Sequence, residues 1–230
     1  MALIMYDLAG AQANRRFSPF CWRIRLAIAH KGLEVETVPW RFTEKAAIAF
    51  SGQDRVPVLV DDGKTVAGSW KIASHLEEKY PQRPSLFGGA VGIALARFVE
   101  GWNDNVVQGG MVRLILIDVF AHIHEKDRAY FRESREKRLG MTIEQACAGR
   151  EERVAGFRSS LEPLRTTLRL QPFVAGESPN YADYIVFGSF MWARSTSPFS
   201  LLTPDDPIYD WRKRMLDRFE FALQALGYDA

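Results

Sequence analysis

The stretch FSPFCWRIR, residues 17–25, puts a Ser-Pro pair one helical turn ahead of a lone cysteine. Serine followed by proline is an ordinary helix start, the hydroxyl capping free amides and the proline taking the first helical position. Cys-Pro-x-Cys in the same place would be a redox dithiol, but here Ser18 stands where the first sulfur would be. Two chemistries are compatible with the pattern. The Ser18 hydroxyl and the amides of a helix N-terminus can hold a thiolate that belongs to another molecule. Alternatively, Cys21 is the surviving nucleophile. A thiol one turn inside a helix between Phe20 and Trp22 is expected to be buried and inert, with Trp22 packed in the core. His75, His122 and His124 have no companions at metal-ligand spacing, so no metal site is expected.

These groups need elements to hold them. LIMYDL reads as a strand and AGAQANRR as its loop, and Phe20, Ile24 and Ile28 then recur at helical spacing until Gly32. LEVETVPW alternates as a half-buried strand from Leu33. A polar stretch from Arg41 to Arg55 precedes VPVLVDDGKTVAG, two β-rich runs joined by Asp62-Gly63, a hairpin dipeptide. Ser69 opens a helix closed by Pro81. The order β-α-β, loop, β-β-α is that of thioredoxin. PQRPSLFGG, residues 81–89, reads as a linker, and everything beyond as helix. An apolar helical segment spans residues 90–123, and HEKDRAYFRESREKR after it, alternating in sign, reads as a solvated face. TIEQ and NYAD have the spacing of helix-capping boxes, the second ahead of the apolar run YIVFGSFMW, expected as a buried central helix.

Composition narrows the function classes. At 230 residues and 47% hydrophobic, the chain can bury the cores of two small domains: 1–80, α/β, and 90–230, all helical, joined by 81–89. Thirty Lys+Arg against 28 Asp+Glu is too balanced for a nucleic-acid partner. The cysteines, Cys21 and Cys147, lie in different expected helices, which fits a reducing compartment. No run is long enough to span a bilayer and no secretory leader is read, so the location expected is cytoplasmic.

Taken in this order, SPFCWR, RVPVLVDDG, GSW and NYADY resemble the cytosolic glutathione S-transferase family over essentially the whole chain. Within it, SPxxWR, the EKYP run and DDP…DW are similar to the bacterial β-etherase type and its fungal relatives, which act on aryl ethers. The resemblance implies glutathione as co-substrate, a homodimer formed through the first long helix, and a site that can be carried over residue by residue. Val56-Pro57 would be a cis step whose peptide pairs with the cysteinyl backbone of glutathione; its bland reading is an edge-strand proline. Ser69 would bind the γ-glutamyl carboxylate at a helix N-terminus, or simply cap that helix. The acid the family usually carries before that serine is replaced by Gly68; Asp104 from a second subunit is the substitute expected, with a solvated carboxylate as its bland reading. Arg41, Lys45 and Gln53 are candidates for the glycyl carboxylate, Lys45 ranked first. Phe20, Trp102, Met111, Phe120 and Trp192 are candidates for an apolar substrate wall, of which one or two are expected to face substrate.

Three functions then compete. In the first, Ser18 stabilises the glutathione thiolate for attack on an electrophilic, aromatic substrate, with aryl ether cleavage as one form. In the second, Cys21 makes the protein a glutathione-dependent thiol reductase. In the third, it binds glutathione or a hydrophobic ligand without turnover, which the missing acid at Gly68 favours.

Overall fold

The computed structural model describes residues 3–228. β1 (Leu3–Leu8) leads through a loop to α1 (Pro19–His30), followed by β2 (Glu36–Trp40), a 3-10 helix (Lys45–Ser51), β3 (Val58–Asp61), β4 (Lys64–Ala67) and α2 (Ser69–Lys79). The strands form one sheet in the order β2-β1-β3-β4, with β2 parallel to β1 and the other pairs antiparallel. This is the thioredoxin-like arrangement expected. Asp62 and Gly63 both take positive φ, 49° and 84°, which lets a two-residue turn match the twist of β3 and β4. β2 starts later than expected: Leu33 and Val35 keep their burial alternation, but pairing with β1 begins only where Ile4 faces Glu36. Pro39 is tolerated because β2 is an edge strand.

The rest is helical: α3 (Ala90–Trp102), a wide π turn (Asn103–Gln108), α4 (Gly109–Ala121), α5 (Glu125–Leu139), α6 (Ile143–Cys147), α7 (Arg150–Ser160), α8 (Glu162–Leu170), α9 (Tyr181–Thr196), α10 (Pro207–Arg218) and α11 (Glu220–Leu223). The segment expected as one long helix thus widens in its middle. The wide turn carries Asn103, whose Oδ1 accepts from Ser189 Oγ at 3.0 Å, and Asp104, which meets Arg23 of α1 at 2.6 Å. Through Asp104 it ties the helical layer to α1.

α9 is the central helix anticipated, buried along its length except at Trp192, and it lies against α1. Gly188 permits that approach, because a Cβ there would stand 2.6 Å from the Pro19 carbonyl oxygen. Both capping boxes form. In the second, the Asp183 carboxylate accepts from the amides of Val174, Ala175 and Asn180 and from Trp211 Nε1, at 2.8 to 3.2 Å. The 81–89 segment is pinned by buried Leu86 and Phe87, with the Tyr181 amide donating to the Leu86 carbonyl at 2.9 Å. Among the described residues no helix is long and apolar enough to cross a membrane.

Candidate active site at the head of α1

Ser18 caps α1. Its Oγ accepts from the Cys21 amide at 3.2 Å, Pro19 follows at the first helical position, and the residue is only 4% exposed. As an acceptor of that amide the hydroxyl still has its own proton to donate. Ser18, Pro19 and Phe20 line a cavity of about 480 Å³, which places the first turn of α1 in its wall.

Cys21 is fully buried. Burial, and then the charge of the neighbouring Asp7 carboxylate, push its thiol well above the ordinary cysteine value, partly offset by the Ser18 hydroxyl. Asp7 itself is 1% exposed, 3.8 Å from Arg16 and 3.9 Å from Arg25, and burial pushes its carboxyl up. A neutral thiol is a weaker hydrogen-bond acceptor than a thiolate.

The cavity walls are strongly aromatic: Phe17, Phe20, Trp40, Phe42, Tyr130, Phe131 and Trp192, with Val56, Val112, Leu116 and Val119 between them. Of the five residues expected in an apolar wall, Phe20 and Trp192 line it. The other three are corrections: Met111 is fully buried, Phe120 is buried beneath the guanidiniums of Arg128 and Arg132, and Trp102 packs against the core. Periodicity alone gives a helical aromatic no address.

The groups expected around glutathione are distributed as follows. The Val56-Pro57 bond is cis, Val56 lines the cavity and Pro57 is buried. Ser69 is the first residue of α2 rather than its cap; that position belongs to Gly68, at φ 92°, whose amide donates to the Pro57 carbonyl at 3.0 Å. The free amides of the first turn of α2 therefore start at Ser69. Arg41 is occupied, its Nε donating to the Gly10 carbonyl at 3.1 Å and its guanidinium 3.6 Å from Glu44. Lys45 stands 3.6 Å from Asp54 and over the Tyr130 ring, whereas the side chain of Gln53 is exposed. Asp104 is paired with Arg23 of its own chain and does not line the cavity.

The α5 wall of the cavity lies outside the residues expected from sequence. Asp127 is buried and accepts from the amides of Phe42 and Thr43 at 3.0 and 3.2 Å and from Thr43 Oγ1 at 2.5 Å, which fastens α5 to the loop after β2. On the same face, Tyr130, Phe131, Ser134, Arg135 and Arg138 line the cavity, so this segment is no solvated face. The signal was present as a 3.6-residue repeat through 127, 130, 131, 134, 135 and 138, masked by the alternating charges.

Among the described residues no group of three or more His, Cys, Asp or Glu side chains could hold a metal ion. His75 bonds to Asp61 at 2.7 Å, His122 to Tyr228 at 3.0 Å, and His124 accepts from the Lys126 amide.

A thioredoxin-like layer followed by a helical layer, with a capping serine facing an aromatic cavity at their junction, defines a protein of the glutathione S-transferase class. Models of that family match this chain twice, as its N-terminal domain over residues 14–84 and its C-terminal domain over residues 94–200, and the chain belongs to the glutathione S-transferase family. Similar solved structures include a glutathione S-transferase of Ceriporiopsis subvermispora in complex with glutathione, 22% identical, TM-score 0.83, covering 100% of both chains. Another is glutathione transferase GSTFuA3 of Phanerochaete chrysosporium, 21% identical, TM-score 0.78, covering 97% of this chain and 93% of that one. A maleylacetoacetate isomerase of Pseudomonas aeruginosa is 38% identical over 69 residues, a match spanning 26% of this chain and 32% of that protein.

Proposed function

We propose that the protein is a glutathione transferase in which Ser18 stabilises the glutathione thiolate for attack on an aromatic electrophile. The observation that carries this reading is the Ser18 hydroxyl at the head of α1, facing an aromatic cavity, with the protein's own nearby thiol buried and held neutral. Glutathione lies along the α/β layer: its cysteinyl backbone at Val56 and Pro57, its γ-glutamyl carboxylate on the first-turn amides of α2 at Ser69, and its glycyl carboxylate toward Lys45. Lys45, half-exposed and paired only with the exposed Asp54, is favoured over Arg41, which is mostly buried and donates to the Gly10 carbonyl, and over Gln53, which is neutral. In the reaction the sulfur forms a bond to the electrophilic carbon and the leaving group departs with its electron pair. For an aryl ether that group is a phenoxide, and the aromatic walls fit the two rings such a substrate carries. The burial of Cys21 speaks against the reductase alternative. The similar Ceriporiopsis subvermispora transferase was solved in complex with glutathione, which supports this reading.

The test is steady-state turnover of glutathione with a chlorodinitrobenzene and with a β-aryl ether, beside calorimetric binding of glutathione. Turnover of either supports transfer, and of the ether also the etherase form. Glutathione binding with no turnover of either would return the reading to a non-enzymatic binder.

A further inference from the structure

Two cationic side chains in the cavity wall have no anionic partner. Arg135 lies between the rings of Phe42, at 4.9 Å, and Phe131, at 4.3 Å, and its one hydrogen bond among the described residues goes to Ser134 Oγ at 2.8 Å. Burial pulls its guanidinium down to about 10, and the charges of Arg138 and Arg55 add to the effect. Arg138, an exposed residue at the rim, lines the same cavity and forms no ion pair among the described residues. Asp54, the acid that shares the lining, stands 3.4 Å from Arg55 and 3.6 Å from Lys45, so its charge is already committed. A desolvated guanidinium without a counter-ion is costly to keep, and a cavity that keeps one is built for an anion. A second polar group points the same way: Nε2 of Gln108, on the wide turn, is buried at this cavity without a partner among the described residues.

We propose that the electrophile is an aromatic compound bearing a carboxylate, its ring among the cavity aromatics and its carboxylate on Arg135 and Arg138. This rests on the transferase reading above. The glycyl carboxylate of glutathione has the same chemistry, but the glutathione groups proposed here lie on the α/β layer, and Lys45 already serves that end. Arg135 and Arg138 belong to α5, in the helical layer.

The test compares chlorodinitrobenzene with chlorodinitrobenzoate, electrophiles that differ by one carboxylate. In both, the sulfur bonds to the ring carbon and chloride leaves with the electron pair. In Arg135→Gln, kcat/KM for the benzoate should fall at least about tenfold more than for the neutral compound, with the KM for glutathione unchanged. Arg138→Gln should shift the ratio in the same direction. A rise in the glutathione KM with equal losses for both electrophiles would mean that these arginines hold the glycyl carboxylate, and would overturn the proposal. A calorimetric arm on the whole protein reads the cavity without turnover: naphthoate should bind more tightly than naphthamide, and Arg135→Gln should erase the difference. Equal binding of the two by the unsubstituted protein, or failure of both to bind, overturns the proposal. A naphthoate preference without turnover of either electrophile would leave the carboxylate site standing and sink the transferase reading instead.

Discussion

At the scale of single residues, the distinction that matters is between Ser18 and Cys21, the two candidates for the sulfur chemistry, one turn apart. Ser18 faces the cavity and keeps a proton to give, whereas Cys21 is sealed beneath it beside Asp7. Burial and the charge of the Asp7 carboxylate favour the neutral thiol. Alkylation of Cys21 in the native protein at neutral pH should therefore run at least about a hundredfold slower than for a model thiol. Cys21→Ala should retain most transferase activity, with only a packing loss. Rapid alkylation combined with an inactive alanine variant would hand the chemistry to Cys21. Both readings were open in FSPFCWRIR, because sequence gives the spacing of the two groups but not which side of the helix is covered.

At the scale of elements, α9 acts as the backstop for α1. Gly188→Ala would drive a methyl group onto the Pro19 carbonyl, a backbone atom that cannot swing aside, so α1 must shift at the residue next to Ser18. Such overpacking should cost about 1–3 kcal/mol, read by chemical denaturation, and should raise the KM for glutathione; an unaltered stability and KM would contradict the backstop. The other end of α9 depends on Asp183, whose carboxyl burial raises from 3.8 to about 6 despite four donors. Because the folded-state value is the raised one, the native protein binds the proton more tightly, and stability falls as pH rises through that window. Asp183→Ala should lose about 2–4 kcal/mol with its hydrogen bonds, and should flatten the decline of stability between about pH 4 and 6. An unchanged slope would mean the carboxyl is not raised. NYAD, DDG and Ser-Pro were legible as caps and turns because their defining bonds are local, Ser18 on the Cys21 amide, Asn180 on the Ala182 amide and Asp183 on the Asn180 amide; the further donors to Asp183 from Val174, Ala175 and Trp211 were not. The cavity wall was not. Whether Phe120 or Tyr130, Met111 or Gln108 meets the cavity depends on how α4 and α5 rotate against the sheet, and Asp127 on the loop after β2 makes that decision at long range.

At the scale of the whole molecule, α3 leaves Val91, Leu95 and Phe98 exposed at 75%, 59% and 75%, an apolar stripe at helical spacing. We read it as the face against which a second copy packs, in keeping with the homodimer the family resemblance implied. Phe98→Glu should shift sedimentation from dimer to monomer, while a native protein that sediments as a monomer would refute the interface. The proposed chemistry turns on the state of one sulfur. A spectrophotometric titration of protein-bound glutathione, in the native protein and in Ser18→Ala, follows that sulfur directly. The bound thiol should ionise below the ordinary value of about 8.5, and loss of the hydroxyl should raise its pKa by about one unit, some 1.4 kcal/mol of thiolate stabilisation. An identical pKa in the two proteins would contradict it, leaving Ser18 as a helix cap and nothing more.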